Sequence, residues 1–190
     1  MASLPDFEIR SNGNISKEFL KRDIISFHQA AVYIQNLAYG RNSNKDDLTT
    51  LFTDNKGTCS TKHAVLKQLA IENEINDINL MLGIFRMNAL NTPRVGNTLS
   101  ENYLYYIPEA HTYLKYEDNY FDFTKRTSSP GSFINDLLFE TEIQPSEINR
   151  HKIRIHRAFL VHWLTENNNI SYSLDEIWEI RERCIQVLSE

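Results

Sequence analysis

Cysteine is scarce in this chain. Only Cys59 and Cys184 occur, one in a Gly-Thr-Cys-Ser turn and the other in a late helical pattern. Two thiols in such different contexts do not form a disulfide framework, and a Cys59–Cys184 bridge is the weaker expectation. A basic excess is also missing: the net charge is -5 and the pI about 5.7. That argues against a nucleic-acid binder, which normally carries a basic face. No apolar run approaches the ~20 residues that cross a bilayer. The first residues, Met-Ala-Ser-Leu-Pro-Asp-Phe-Glu, contain neither a positive n-region nor an apolar h-region, so no signal peptide is expected. A reduced, cytoplasmic protein follows as the default expectation. Internal repeats and low-complexity tracts are absent as well. What is present is ordinary for a globular domain: 190 residues, 41% hydrophobic and 24% charged, enough for a real core.

Patterning predicts the elements. Residues 1–15 read as an irregular lead-in with Pro5 and Gly13. Ser16 is a candidate N-cap for a helix whose apolar positions run from Phe19 through Ile34 to Ala38, with Gly40 ending it. A short helix around Asp46–Phe52 lies between polar turns. The next helix starts near Cys59, capped by Ser60 or Thr61, and runs to about Glu74. Ile78 to Met87 reads as a core strand, and 88–102, with Pro93 and Gly96, as a long exposed loop. Tyr103–Ile107 and 111–116 have strand composition. Glu117-Asp118-Asn119 is a turn, and Tyr120–Thr124 is the partner strand, giving a hairpin over 111–124. Residues 125–135 are a loop. One helix covers 146–166, and a second starts after Ser173. The order helices, strands, helices predicts an α+β fold in one domain, 1–190, with a mainly antiparallel sheet packed on helices.

Three residues stand out for chemistry. A thiol becomes a nucleophile when a helix N-terminus or an imidazolium favours its thiolate. Gly57 permits a tight turn, Thr58 and Ser60 are small, and a helix follows Cys59 at once. The N–H groups of that first turn are also suited to a developing oxyanion. A base and an orienting carboxylate complete such a site. Side chains alternate along strands, so His111, Tyr113 and Lys115 share one face. An even turn over 116–119 pairs Tyr113 with Asp122 and His111 with Thr124. Asp122 is then the diagonal neighbour of His111, within reach to orient the imidazole. An odd turn without a bulge puts the two on opposite faces.

At these positions the chain resembles the transglutaminase-like branch of papain-related cysteine enzymes, as a small bacterial-type stand-alone domain. The matching segments are Leu37-Ala38-Tyr39, Gly57-Thr58-Cys59-Ser60-Thr61-Lys62-His63-Ala64, Glu109-Ala110-His111-Thr112-Tyr113-Leu114 and Tyr120-Phe121-Asp122-Phe123-Thr124. The resemblance covers residues 16–125 as the core. Residues 132–190 form a helical C-terminal extension without a counterpart. Ser60 stands where the family often has an aromatic residue, and Phe123 where it commonly has proline. Gln35, Asn36 and Tyr39 are the positional candidates for a side-chain oxyanion donor.

The resemblance implies a central helix that starts at the Cys and a Cys59–His111–Asp122 triad. It further implies a thioester intermediate and transfer of an acyl group from a peptide or amide substrate, proteins included, to water or an amine. No cofactor and no metal are expected. With no acidic calcium loop in the chain, hydrolysis is the expected branch. The rival expectation is a catalytically inactive domain of the same fold that binds proteins through its C-terminal helical third, with Trp163 and Trp178 as docking residues. Neither nucleic acid nor membrane is expected as a partner, and the oligomeric state is open.

The remaining candidates have simpler readings. His63, one turn beyond Cys59, is expected to be a partly exposed helix residue. His151, His156 and His162 do not share one helix face, which disfavours a metal site and makes a metal-dependent enzyme the distant third reading. Cys184 reads as core or interface, and Phe159, Trp163, Tyr172 and Trp178 read most simply as core. The Lys17–Arg22 charges read as a solvated face. Tyr103-Leu104-Tyr105-Tyr106 reads as strand packing, or alternatively as an aromatic wall beside a cleft.

Overall fold

A computed structural model describes residues 4–189. The chain is α+β, with an antiparallel sheet and helices. Elements follow in the order α1 (Asn14–Leu20), α2 (Phe27–Asn36), β1 (Ala38–Tyr39), α3 (Thr50–Asp54), β2 (Lys56–Gly57), α4 (Cys59–Glu72), β3 (Ile78–Asn88), α5 (Gly96–Glu101), β4 (Tyr106–Tyr116), β5 (Asn119–Phe121), β6 (Leu137–Glu142), α6 (Arg150–Glu166) and α7 (Leu174–Ser189). The larger sheet has the strand order β5-β4-β3-β6, and β1 pairs with β2 in a separate two-stranded ribbon.

The chain divides into two compact units. One comprises the chain up to Leu82 with Thr112–Pro130 and Thr141–Asn149. The other comprises Gly83–His111, Gly131–Glu140 and the chain from Arg150 onward.

In the first unit, the helix expected from Ser16 to Ala38 is two helices. The apolar periodicity runs through a real break, where Asp23 adopts a left-handed conformation (φ 57°) and Ser26 restarts the chain as N-cap of α2, accepting from the Gln29 N–H. The break is held from outside: Ile9 N–H donates to Ile25 O and Phe27 N–H to Phe7 O. The described part of the lead-in is therefore tied down, and Leu4 and Ile9 are buried. Gly13, not Ser16, is the N-cap of α1. The cap itself comes from afar: the Glu72 carboxylate accepts from the Ile15 and Ser16 N–H groups and from Ser16 Oγ. A carboxylate is the favoured charge at a helix N-terminus.

Helix α4 is buried from Cys59 to Ala70 except at Gln68, and it packs against α1 and α2. Its N-cap is Thr58. Thr61 returns the bond by accepting the Thr58 N–H through Oγ1 at 2.9 Å, the reciprocal arm of a capping box. Neither Ser60 nor Thr61 is the cap. Its far end, Asn73, binds the lead-in through the Arg10 N–H at 2.7 Å.

In the second unit, the expected exposed loop at 88–102 is partly helical. A 3-10 turn at Pro93–Val95 leads into α5, and Val95 and Leu99 are buried. Their i, i+4 spacing anchors the segment. The strand expected at 103–107 starts only at Tyr106. Tyr103 is left-handed (φ 53°), and Tyr103 and Tyr105 are exposed. Helices α6 and α7 bury one stripe each, His156, Leu160 and Trp163 on α6 and Ile177, Ile180 and Cys184 on α7. Trp163 Nε1 donates to Tyr106 Oη at 2.8 Å, so Trp163 is core and is not available as a docking residue. The Arg157 and Arg181 guanidinium groups each lie 5.2 Å from the centre of a Trp178 ring. One further strand, β6, falls in a segment without a predicted element.

Candidate active site

The first unit builds its site around the start of α4. β1 and β2 run parallel, Ala38 opposite Lys56 and Tyr39 opposite Gly57, and this ribbon delivers the chain into the Gly57-Thr58 turn. Gly57 is required by close approach. A Cβ there would stand 2.9 Å from Thr61 Oγ1 and 3.0 Å from both Leu51 Cδ1 and Lys62 Cγ. Cys59, the first residue of α4, is in no disulfide and is 8% exposed. Its sulfur lies 3.9 Å from Ser60 Oγ, which in turn meets Thr112 Oγ1 on β4 at 3.3 Å.

The hairpin brings Asp122 to the same turn. Leu114 pairs with Phe121, Lys115 with Tyr120 and Tyr116 with Asn119. This is the register of an even turn, and one residue further it sets Tyr113 opposite Asp122. Glu117 in the turn is left-handed (φ 51°). Asp122 is buried. Its Oδ1 accepts from the Thr124 N–H at 2.9 Å and from Thr124 Oγ1, a local turn that fixes the carboxylate.

His63 joins the two. It is fully buried rather than partly exposed, because α4 has neighbours on all sides of its first turns. Its Nε2 accepts the Phe123 N–H at 2.8 Å, and its Nδ1 lies 2.8 Å from Cys59 O. A nitrogen that accepts an N–H carries no hydrogen, so the hydrogen is on Nδ1, which donates to Cys59 O. His63 is thus a neutral imidazole pinned at both nitrogens. Its 3.6 Å approach to Asp122 Oδ1 is a contact with a neutral ring, not an ion pair.

Lys62 was not among the predicted site residues. It is completely buried, and its Nζ donates to Leu37 O at 2.6 Å and to Thr124 O at 2.7 Å. Burial pushes its pKa down to about 8; the Lys125 charge acts in the same direction, while Asp122 and Cys59 oppose both. The signal for Lys62 and His63 is present in the sequence as polar residues directly behind Cys59 in a helix that offers no continuous polar face. Of the oxyanion candidates, Asn36 accepts from Arg126 Nε, Tyr39 lies under the Lys125 ammonium at 4.8 Å, and Gln35 is half-buried.

His111, the predicted base, belongs to the second unit. It is half-buried, and its ring packs edge-on against Phe133 and Phe85, with centroids at 4.8 and 6.3 Å. That unit has its own buried polar cluster. Arg181 donates to both carboxylate oxygens of Glu109 at 2.7 and 2.6 Å. His156 Nε2 lies 2.8 Å from Pro108 O, and burial lowers its pKa. Burial also pushes the Cys184 thiol up to about 11, which makes it inert. Among the described residues, no group of three or more His, Cys, Asp or Glu side chains is placed to hold a metal ion, and no helix is long and apolar enough to cross a membrane.

No family model, curated protein or solved structure matches the chain.

Proposed function

We propose that the protein is a cysteine-dependent acyl-transfer enzyme with a transglutaminase-like core, an amide or peptide hydrolase or a transferase to an amine. Cys59 attacks a carbonyl carbon, the amine leaves with a proton supplied by His111, and a Cys59 thioester remains. Water or a second amine then attacks that thioester and restores the thiol. Asp122 orients the base, and the N–H groups at the start of α4 receive the developing oxyanion.

One observation carries this reading. The thiol turn and the carboxylate strand end are bolted together, His63 to Phe123 N–H and Lys62 to Thr124 O. Two segments far apart in sequence are thereby held as one rigid locality, as an active site requires. Burying a lysine and a histidine to do so is costly, and their hydrogen bonds to the two segments offset that cost.

The test is trapping of the acyl-enzyme. Mixed with an activated ester such as p-nitrophenyl acetate, the native protein is expected to release a burst of nitrophenol and to carry an acetyl group on Cys59 by peptide mass spectrometry. Cys59→Ala abolishes both, and His111→Ala slows the burst by about 10²–10⁴-fold, the usual contribution of a general base. Acylation of Cys59 only after denaturation contradicts the proposal and favours the inactive, protein-binding reading.

A further inference from the structure

We infer that Lys62 is the positioning residue of this site: its ammonium draws the Leu37 and Thr124 carbonyls onto the first turn of α4, and thereby sets both the place of Asp122 and the positive charge that favours the Cys59 thiolate. The inference rests on the reading of Cys59 as a nucleophile.

The geometry supports a role beyond filling space. Lys62 follows Cys59 by three residues, so both leave the same side of the first helical turn. Its ammonium joins three segments at one point: the end of α2 through Leu37 O, α4 itself, and the strand end through Thr124 O. Thr124 is also the residue that holds the Asp122 carboxylate, so a pull on its carbonyl is passed directly to Asp122. Both acceptors are neutral carbonyls. The charge of Lys62 is therefore not cancelled by its hydrogen-bond partners and remains to act on the groups around it.

Those groups are Cys59, Asp122 and Lys125. The first two, when ionised, favour the ammonium. Electrostatic coupling is reciprocal, so the ammonium favours their anions equally. The dipole of α4 has the same sign at this end, and a fixed cation adds to it in a buried setting where screening is weak. Loss of the Lys62 proton removes the charge and weakens both carbonyl bonds together. Lys125, from the segment that follows Thr124, opposes the ammonium and keeps it close to release.

The experiment is the rate of Cys59 alkylation by iodoacetamide, followed by peptide mass spectrometry on the native full-length chain between about pH 5 and 9. In Lys62→Met, which keeps the length and removes the charge, the reactivity profile is expected to move to higher pH. The rate at neutral pH should fall about tenfold, equivalent to one unit of titration. A filler role predicts an unchanged profile, and an unchanged profile in a folded variant overturns the inference while leaving the nucleophile in place. If Cys59 of the unaltered native protein does not react at any pH, the proposed function fails first.

A second measurement covers a variant that does not fold. In Cys59→Ser, the titration of Lys62 followed by lysine side-chain NMR is expected to move to lower pH, because the thiolate that supported the ammonium is gone. No movement excludes the coupling.

Discussion

Each unit buries a cation, and the two do so in opposite ways. In the second, Arg181 meets the Glu109 carboxylate through two short bonds. Burial works against both charges, yet the pairing outweighs it, raising the Arg181 pKa and holding that of Glu109 below the usual range. In the first, Lys62 meets only backbone carbonyls, and burial prevails, bringing its pKa to about 8. The Arg181 pair locks a charge in place. The Lys62 arrangement leaves a proton close to exchange at physiological pH. A cation shifted by burial is a functional-site candidate, but Lys67 is also buried and bonded to a backbone carbonyl, so it is the coupling to Cys59 and Asp122 that singles out Lys62.

The largest expected effect breaks the locked pair. Arg181→Met leaves Glu109 buried without its counter-charge and is expected to cost about 3–5 kcal/mol, read as a drop in the urea midpoint. A loss near zero would mean that Glu109 is already neutral in the folded protein. Next comes Gly57→Ala, which drives a methyl into Thr61, Leu51 and Lys62. About 1–3 kcal/mol is expected for overpacking, together with faster loss of Cys59 protection. Wild-type stability is a clear test of overpacking, since these neighbours are buried too deeply to yield freely.

The pH dependence of Lys62 sharpens the comparison. Its folded pKa lies below its ordinary value of 10.5, so the unfolded state binds the proton more tightly. Stability relative to Lys62→Met should therefore rise as the pH is raised from about 8 to about 10.5 and stay flat below about 8. The Arg181 pair gives no such slope in that window. A flat difference between wild type and Lys62→Met would show that burial does not penalise this charge. The smallest effect belongs to the surface: Ser173→Ala removes the cap that accepts the Glu176 N–H at the start of α7 and should cost about 0.5–2 kcal/mol in thermal unfolding.

The elements of the site were legible to different degrees, and the reason is where the information lies. The start of α4 is local: Gly57, Thr58 and an apolar pattern suffice to place it. The hairpin register is nearly local, because two turn residues fix the pairing. The burial of His63 is not. A histidine one turn beyond a cysteine reads as partly exposed when only its own helix is considered, and it becomes a pin because the strand end at Phe123 covers it. Lys62 shows in the sequence only as a polar residue behind Cys59; its role does not, since its partners are carbonyls of Leu37 and Thr124, and carbonyls leave no mark in a sequence. The break at Asp23 and the helix at 96–101 were missed differently. An apolar rhythm continued across the first, and Pro93 and Gly96 masked the Val95–Leu99 pair in the second. Strand β6, Leu-Leu-Phe-Glu-Thr-Glu, is too acidic to announce itself.

The placement of Trp163 and Trp178 has an optical consequence. Both of the chain's indoles belong to the second unit. One is sealed in its core, and the other lies beside guanidinium groups. Emission excited at the red edge of the absorption band therefore comes from that unit alone, and the half of the molecule that holds Cys59 is dark. A transition seen in far-ultraviolet dichroism but not in indole fluorescence would mark separate melting of the first unit. Coincident curves would mark one cooperative body.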